Sequence, residues 1–159
     1  MDMKAFYQGL DSLLAHGQMG NAYGGCGEDP TDPAANTLDN FYDYFAETYE
    51  QSMPPWMEAF VQVYHWQFET FHEGSSGYYE NFYGTAGNET ILRVAAFLRE
   101  NGYEQLAEAY GAPALICLCG EYPEEFAHLL PDGWMNVNEE TDWNFYVDIL
   151  QKHREELLQ

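Results

Sequence analysis

Apolar side chains recur every three or four positions along most of this chain, which is the spacing of one face of an α-helix. The first such run covers residues 3–15 and predicts a short helix. Its apolar face consists of Phe6, Leu10, Leu13 and Leu14. Residues 17–35 are rich in Gly, Pro, Asp and Asn and predict a long loop. A second helix is predicted from Asn36 or Thr37, both good N-terminal caps, to about Ser52.

A third helix is predicted to open at Pro54-Pro55 and to end at Gly74. Proline is tolerated in a first helical turn because the amide there has no intrahelical partner. One apolar stripe of this helix is predicted to face the core. The stripe consists of Met57, Phe60, Val61, Tyr64, Phe68 and Phe71.

Four further helical segments are predicted in the second half of the chain, at about residues 88–100, 103–110, 123–130 and 139–158. Asn88 is the predicted cap of the first, and Asn101-Gly102 its predicted end. The predicted core positions of the first and last segments are Ile91, Leu92, Ala95 and Leu98, and Trp143, Tyr146, Ile149 and Leu150. Residues 113–120 fit either a helix or a buried strand. The fold class is therefore predicted to be all-α, with about seven helices, several of them short.

The composition favours one folded domain over residues 1–159. Acidic chains are often disordered, but disordered chains are poor in aromatic and bulky apolar residues. Here 46% of residues are hydrophobic and 17% are aromatic, which provides ample apolar surface to bury. No apolar run approaches the roughly 20 residues of a membrane span. The N-terminus lacks a signal-peptide pattern, and three cysteines do not make a disulfide framework, so a cytoplasmic location is expected.

The charge is strongly one-sided. The chain has 27 acidic residues against 5 Lys and Arg, a formal net charge of -22 at pH 7. Between Lys4 and Arg93 there is no Lys or Arg at all. Such a surface favours cationic partners and repels nucleic acid and anionic membranes. Arg93 and Arg99 are expected to be counter-charges to nearby acids such as Glu89 and Glu100.

The segment from Ser75 to Gly87 resembles a signature of the DNA-mimic protein family, which comprises small, acidic, all-helical domains. The matching positions are Gly77, Tyr78, Phe82 and Gly87, with Glu80 where that family prefers Gln. The resemblance covers about residues 50–115 and implies an all-helical fold. It also implies a protein that imitates DNA and occupies a DNA-binding protein. Most aromatics here are expected in the core, with Tyr78, Tyr79 and Tyr83 as candidates for exposed anchors.

Acidic residues form two rows at helical spacing. The first row is Asp39, Asp43, Glu47 and Glu50, within roughly 80° of one helix face. The second is Glu100, Glu104 and Glu108, which crosses the Asn101-Gly102 break. Helical acids four apart advance about 6 Å, so such a row can approximate adjacent phosphates of one DNA strand. A solvated helix face and adaptation of a whole proteome to high salt give the same acid excess, and both alternatives stay open.

A metal-dependent enzyme is a further alternative, because two Glu-x-x-His pairs occur, Glu69/His72 and Glu125/His128. Carboxylate-bridged di-iron bundles use two such pairs plus a Glu from each of two more helices. Those bundles need long helices, whereas Gly and Pro interrupt this chain frequently. No nucleophile elbow, phosphate loop or dinucleotide fingerprint is present, so neither a catalytic residue nor a cofactor is assigned.

The sequence therefore predicts a non-enzymatic binding protein whose two acidic rows contact a basic DNA-binding protein or another cationic protein. An immunity protein that neutralises one cognate toxin would use an acidic surface in the same way and remains an alternative. So does a structural domain without an acidic-surface partner. Direct binding of nucleic acid or membrane is not expected, and the sequence leaves a homodimer open.

Overall fold

A computed structural model of the chain describes residues 2–16, 37–49, 52–73, 78–79, 85–117 and 139–159. These parts contain seven α-helices and no strand, so the predicted all-α class is confirmed for them. The helices are α1 (Met3–His16), α2 (Thr37–Tyr49), α3 (Pro55–Glu73), α4 (Thr85–Glu100), α5 (Glu104–Cys117), α6 (Glu139–Lys152) and α7 (Arg154–Leu157). The predicted loop at 17–35 and the predicted helix at 123–130 lie outside the described residues.

The chain divides into two compact units. The first, unit 1, combines Met1–Met53 with Val147–Gln159, and the second, unit 2, is Pro54–Tyr146. The boundary falls within α6. One domain over residues 1–159 stays a prediction. No helix in the described ranges is both long and apolar enough to cross a membrane.

In unit 1, α1 packs against α2 through aromatic rings. The ring of Phe41 is met edge-on by Phe6 and Tyr7, with centroids 5.5 and 5.1 Å away. The predicted first helix is confirmed, but Leu14 is 42% exposed because the neighbouring Leu13 takes the buried position. Helix α2 ends at Tyr49, a few residues before the expected end. Ser52 itself is not helical, and its amide donates to the Tyr49 carbonyl over 2.9 Å.

Helix α3 begins at Pro55, as the proline pair predicts. The predicted stripe is buried at Met57, Phe60, Val61 and Tyr64. Phe68 is 51% exposed, so its assignment to the core is wrong. In that turn the buried face of α3 consists of Trp66 and Gln67 instead, and Phe68 projects beyond it. The side chain of Phe71 lies outside the described residues.

Helices α4 and α5 pack against each other in unit 2. Helix α4 begins at Thr85, so Asn88 is inside the helix and is not its cap. The α4 core matches the prediction at Ile91, Ala95 and Leu98, but Leu92 is 43% exposed. Val94 is buried in its place, because positions 91, 94, 95 and 98 share one helix face.

The turn after α4 is the predicted glycine stop. Gly102 has a φ of 87°. Its amide donates to the Arg99 carbonyl over 3.0 Å, and the Tyr103 amide donates to the Leu98 carbonyl over 2.9 Å. This is the Schellman arrangement, which satisfies carbonyls that the helix leaves unpaired. Helix α5 then continues to Cys117, so residues 113–117 are helical and the strand alternative is rejected for them.

The predicted last helix is broken at His153 into α6 and α7. Tyr146, Ile149 and Leu150 are buried as predicted. Phe145 is also fully buried and packs on Tyr103, 5.1 Å between ring centroids. The side chain of Trp143 lies outside the described residues.

Candidate acidic binding surfaces

The first acidic row follows the solvent side of α2. Burial of Leu38, Phe41 and Phe45 fixes the rotation of this helix against its unit. Asp43 and Glu47 are exposed. Asp39 is half-buried, and Glu50 lies outside the described residues. Asp39, Asp43 and Glu47, here called the α2 acidic face, span about 80° of arc roughly opposite the buried side chains.

Only part of the α2 acidic face is electrostatically unfavourable for the helix that carries it. Asp39 lies in the first turn, where the helix dipole favours a carboxylate. Asp43 and Glu47 are four residues apart, and like charges at this spacing cost a few tenths of a kcal/mol. No Lys or Arg occurs between Thr37 and Tyr49. Burial of Leu38, Phe41 and Phe45, worth roughly 1.5–3 kcal/mol each, outweighs that repulsion.

The second acidic row is exposed at all three positions, Glu100, Glu104 and Glu108. The turn at Gly102 places Glu100 at the end of α4 and the other two on α5, so one helix does not set the spacing of the row. Arg99 Nε lies 3.7 Å from Glu104 Oε1. A cation inside the row reduces its negative potential, which makes the α2 acidic face the more uniform of the two surfaces.

The three arginines all contact carboxylates of the same chain. Arg93 of α4 makes a two-point contact with Glu58 of α3, with 2.9 Å between Nε and Oε2. Arg154 makes a two-point contact with Asp11 over 2.6 and 2.7 Å. Glu58 is therefore the direct partner of Arg93, whose pKa the expected neighbour Glu89 also raises, and Glu104 takes the place of Glu100 as the partner of Arg99. Each arginine therefore has a carboxylate partner, and none of these partners belongs to the α2 acidic face.

Tyr78 and Tyr79 are core residues and not exposed anchors. Tyr78 Oη donates to Gln62 Oε1 over 2.8 Å and lies 2.6 Å from Tyr110 Oη. Tyr79 Oη donates to the Tyr110 carbonyl over 2.9 Å. Burial raises the pKa of both Tyr78 and Tyr110. Tyr83, the third candidate anchor, lies outside the described residues.

Of the two Glu-x-x-His pairs, only the Glu69 side chain is among the described residues, and its contact is with His65, which belongs to neither pair. His65 Nε2 lies 3.3 Å from Glu69 Oε1 in adjacent turns of α3. Within the described ranges, no three His, Cys, Asp or Glu side chains form a group that could hold a metal ion. The side chain of His72 and both residues of the Glu125/His128 pair lie outside those ranges.

One charged constellation has no signal in the sequence. The Arg154 guanidinium lies over the Tyr7 ring, 4.7 Å from its centroid, while it contacts Asp11. Tyr7 and Asp11 are one turn apart on α1, but Arg154 is 143 positions away from Asp11. Helical spacing identifies the first pair, whereas only packing brings in the third residue.

Comparison of the chain with protein-family models, curated proteins and solved structures finds no match.

Proposed function

We propose that this chain is a non-enzymatic binding protein whose α2 acidic face occupies the basic, nucleic-acid-binding surface of a partner protein in the cytoplasm. The observation that carries the proposal is the pairing of two facts about unit 1. Asp43 and Glu47 are exposed on a helix whose rotation is fixed by a buried aromatic face. That helix contains no cation.

The distribution of positive charge supports this function. A protein that needed acid only for solubility would intersperse Lys and Arg on the same surface. Here the arginines are bound to Glu58, Glu104 and Asp11. Few cations are then left to reduce the negative potential around the protein. The net charge of -22 attracts a basic groove over a long range.

The geometry suits a phosphate-binding groove better than a single cationic pocket. Successive carboxylates of the α2 acidic face advance about 6 Å along the helix, so three of them extend over about 12 Å. Grooves that follow a nucleic-acid backbone bind a series of phosphates in the same way. The resemblance of residues 50–115 to DNA-mimic proteins is consistent with this proposal but does not locate the surface.

The decisive experiment compares two variants with the same change in charge. One carries Asp39→Asn, Asp43→Asn, Glu47→Gln and Glu50→Gln. The control carries Asp2→Asn, Glu89→Gln, Asp148→Asn and Glu155→Gln, four exposed acids outside both rows. Each protein is immobilised, basic proteins are captured at low salt, and the captured proteins are challenged with duplex DNA.

We expect the wild type and the control to retain a basic protein that duplex DNA displaces. The α2 variant should bind it more than about tenfold more weakly, since several charge contacts are lost together. Equal affinity of the α2 variant and the control would reject this face as the contact surface. A single partner that DNA does not displace would favour the immunity-protein alternative.

A further inference from the structure

Helix α7 (Arg154–Leu157) has little apolar attachment. It has four residues, none of them buried. It follows a turn at His153, where no side chain caps the helix N-terminus. The contact between His153 Nδ1 and Glu156 Oε2, 3.0 Å long, lies within the segment itself. Segments with few buried apolar contacts open locally at low cost, so residues 153–159 depend on polar contacts to stay in place.

Arg154 makes the polar contact that joins this segment to α1. Its Nη1 and Nη2 donate to the two carboxylate oxygens of Asp11, and its guanidinium stacks over the ring of Tyr7. Nη1 also lies 3.4 Å from Gln151 Oε1. Two-point hydrogen bonding and stacking both need the planar guanidinium. Arg154 and Asp11 remain 32% and 48% exposed, so dissolved ions and competing cations reach the pair.

Tyr7 links this contact to α2. Its ring lies under Arg154 on one side and meets Phe41 of α2 edge-on, 5.1 Å between centroids. Its hydroxyl donates to the Leu150 carbonyl over 2.7 Å. That carbonyl lies in the last turn of α6, where helix carbonyls lack an intrahelical partner. One buried side chain thus contacts α2, α6 and α7 within unit 1.

We propose that residues 153–159, here called the strap, detach reversibly from the rest of unit 1. The contacts of Arg154 hold the strap on α1, and its detachment loosens α1 and, through Tyr7, α2. The consequence for binding rests on the proposed function, because α2 carries the acidic face. Release of the strap would therefore lower the rigidity with which α2 presents that face. The strap itself is a property of the free protein and is tested without any partner.

The test is hydrogen–deuterium exchange, read by mass spectrometry on the full chain at about 50 and 500 mM salt. Arg154→Gln and Asp11→Asn each remove one half of the contact. Arg99→Gln is the matched control, since it removes one positive charge and the Glu104 contact in unit 2. We expect exchange in α7 and α1 to rise about five- to twentyfold in Arg154→Gln, which loses an exposed ion pair and a cation–π contact, and about fivefold or less in Asp11→Asn, which loses only the ion pair.

Three outcomes decide the proposal. The double variant Asp11→Asn/Arg154→Gln should match Arg154→Gln alone, because the arginine change already removes the contact that the aspartate change removes. High salt should accelerate exchange in α7 of the wild type more than in α7 of Arg154→Gln, which already lacks the contact that salt screens. Unchanged exchange in α7 and α1, or an equal rise in α4 and α5, would overturn the strap. Neither result depends on whether a partner binds the α2 acidic face, so failure of the two proposals is distinguishable.

Discussion

The backbone of Gly111 in α5 lies directly against the side-chain Cβ of Ala95 in α4. A Cβ built on Gly111 would lie 2.8 Å from the Cβ of Ala95, closer than real Cβ atoms approach. Both carbons are fixed to helix backbones, so relief requires the two helices to move apart. The absence of a side chain at Gly111 is what allows α4 and α5 to pack this closely.

Gly111→Ala is therefore expected to destabilise the protein by about 1–3 kcal/mol. The sign is informative, because the same change in an open helix position stabilises by up to about 1 kcal/mol. Urea unfolding followed by circular dichroism measures the effect. In an Ala95→Gly background, the added methyl group no longer meets a Cβ and should cost less. An equal loss of unfolding free energy on Gly111→Ala in the wild type and in Ala95→Gly would contradict the contact between positions 95 and 111.

Tyr78→Phe is expected to cost about 1–3 kcal/mol of unfolding free energy. The change removes the hydroxyl between Gln62 and Tyr110, and the buried Tyr110 hydroxyl then loses its 2.6 Å contact. Tyr78→Phe/Tyr110→Phe should cost less than the sum of the single changes, because no hydroxyl of the pair is left behind. Strict additivity in urea unfolding would show that the hydroxyls are not coupled.

Neutralising the α2 acidic face should strengthen the fold while it weakens partner binding. Asp43→Asn/Glu47→Gln removes a like-charge pair four residues apart, so unfolding free energy should rise by a few tenths of a kcal/mol. The gain should shrink at high salt, because these exposed charges are screened. Urea midpoints at low and high salt measure it. A loss of stability at low salt would mean that these carboxylates make stabilising contacts.

Acid should weaken the Arg154–Asp11 contact. Hydrogen bonds from Arg154 lower the pKa of Asp11 below its ordinary value of 3.8. Its folded pKa is therefore below its unfolded pKa, so the stabilisation is fully present above about pH 4 and is lost as pH falls through the folded pKa. Solvent screening of this half-exposed pair keeps the effect below about 1 kcal/mol. The difference in unfolding free energy between wild type and Asp11→Asn should shrink from pH 6 to pH 2, and a constant difference would contradict the assignment.

Local sequence signals predicted where the helices begin and end better than they predicted which side chains are buried. The proline pair gave the start of α3, and Asn101-Gly102 gave the end of α4, because both act through the backbone of one or two residues. Periodicity alone misplaced Phe68 and Leu92, which fit an apolar stripe but lie beyond the face that neighbouring elements cover. An apolar stripe shows which side of a helix is buried. The width of that buried side depends on how many neighbouring elements pack against it.

The candidate site shows the same division. The acidic spacing on α2 is visible in the sequence, and burial of Leu38, Phe41 and Phe45 then turns it toward solvent. The second row also follows helical spacing in the sequence, but the turn at Gly102 divides it between two helices. The motif predicts Tyr78 as a candidate anchor although its side chain is buried, because a motif does not report which side chains are covered.

The sequence by itself determined the helical class, the sign of the surface charge and the acidic spacing on α2, because these depend on residues within a few turns of one another. Only the tertiary structure decided which carboxylate each arginine contacts and which tyrosines are buried. Arg93 reaches Glu58 across 35 positions, and Arg154 reaches Asp11 across 143. Such contacts arise from the packing of separate helices, whose relative placement no local pattern specifies.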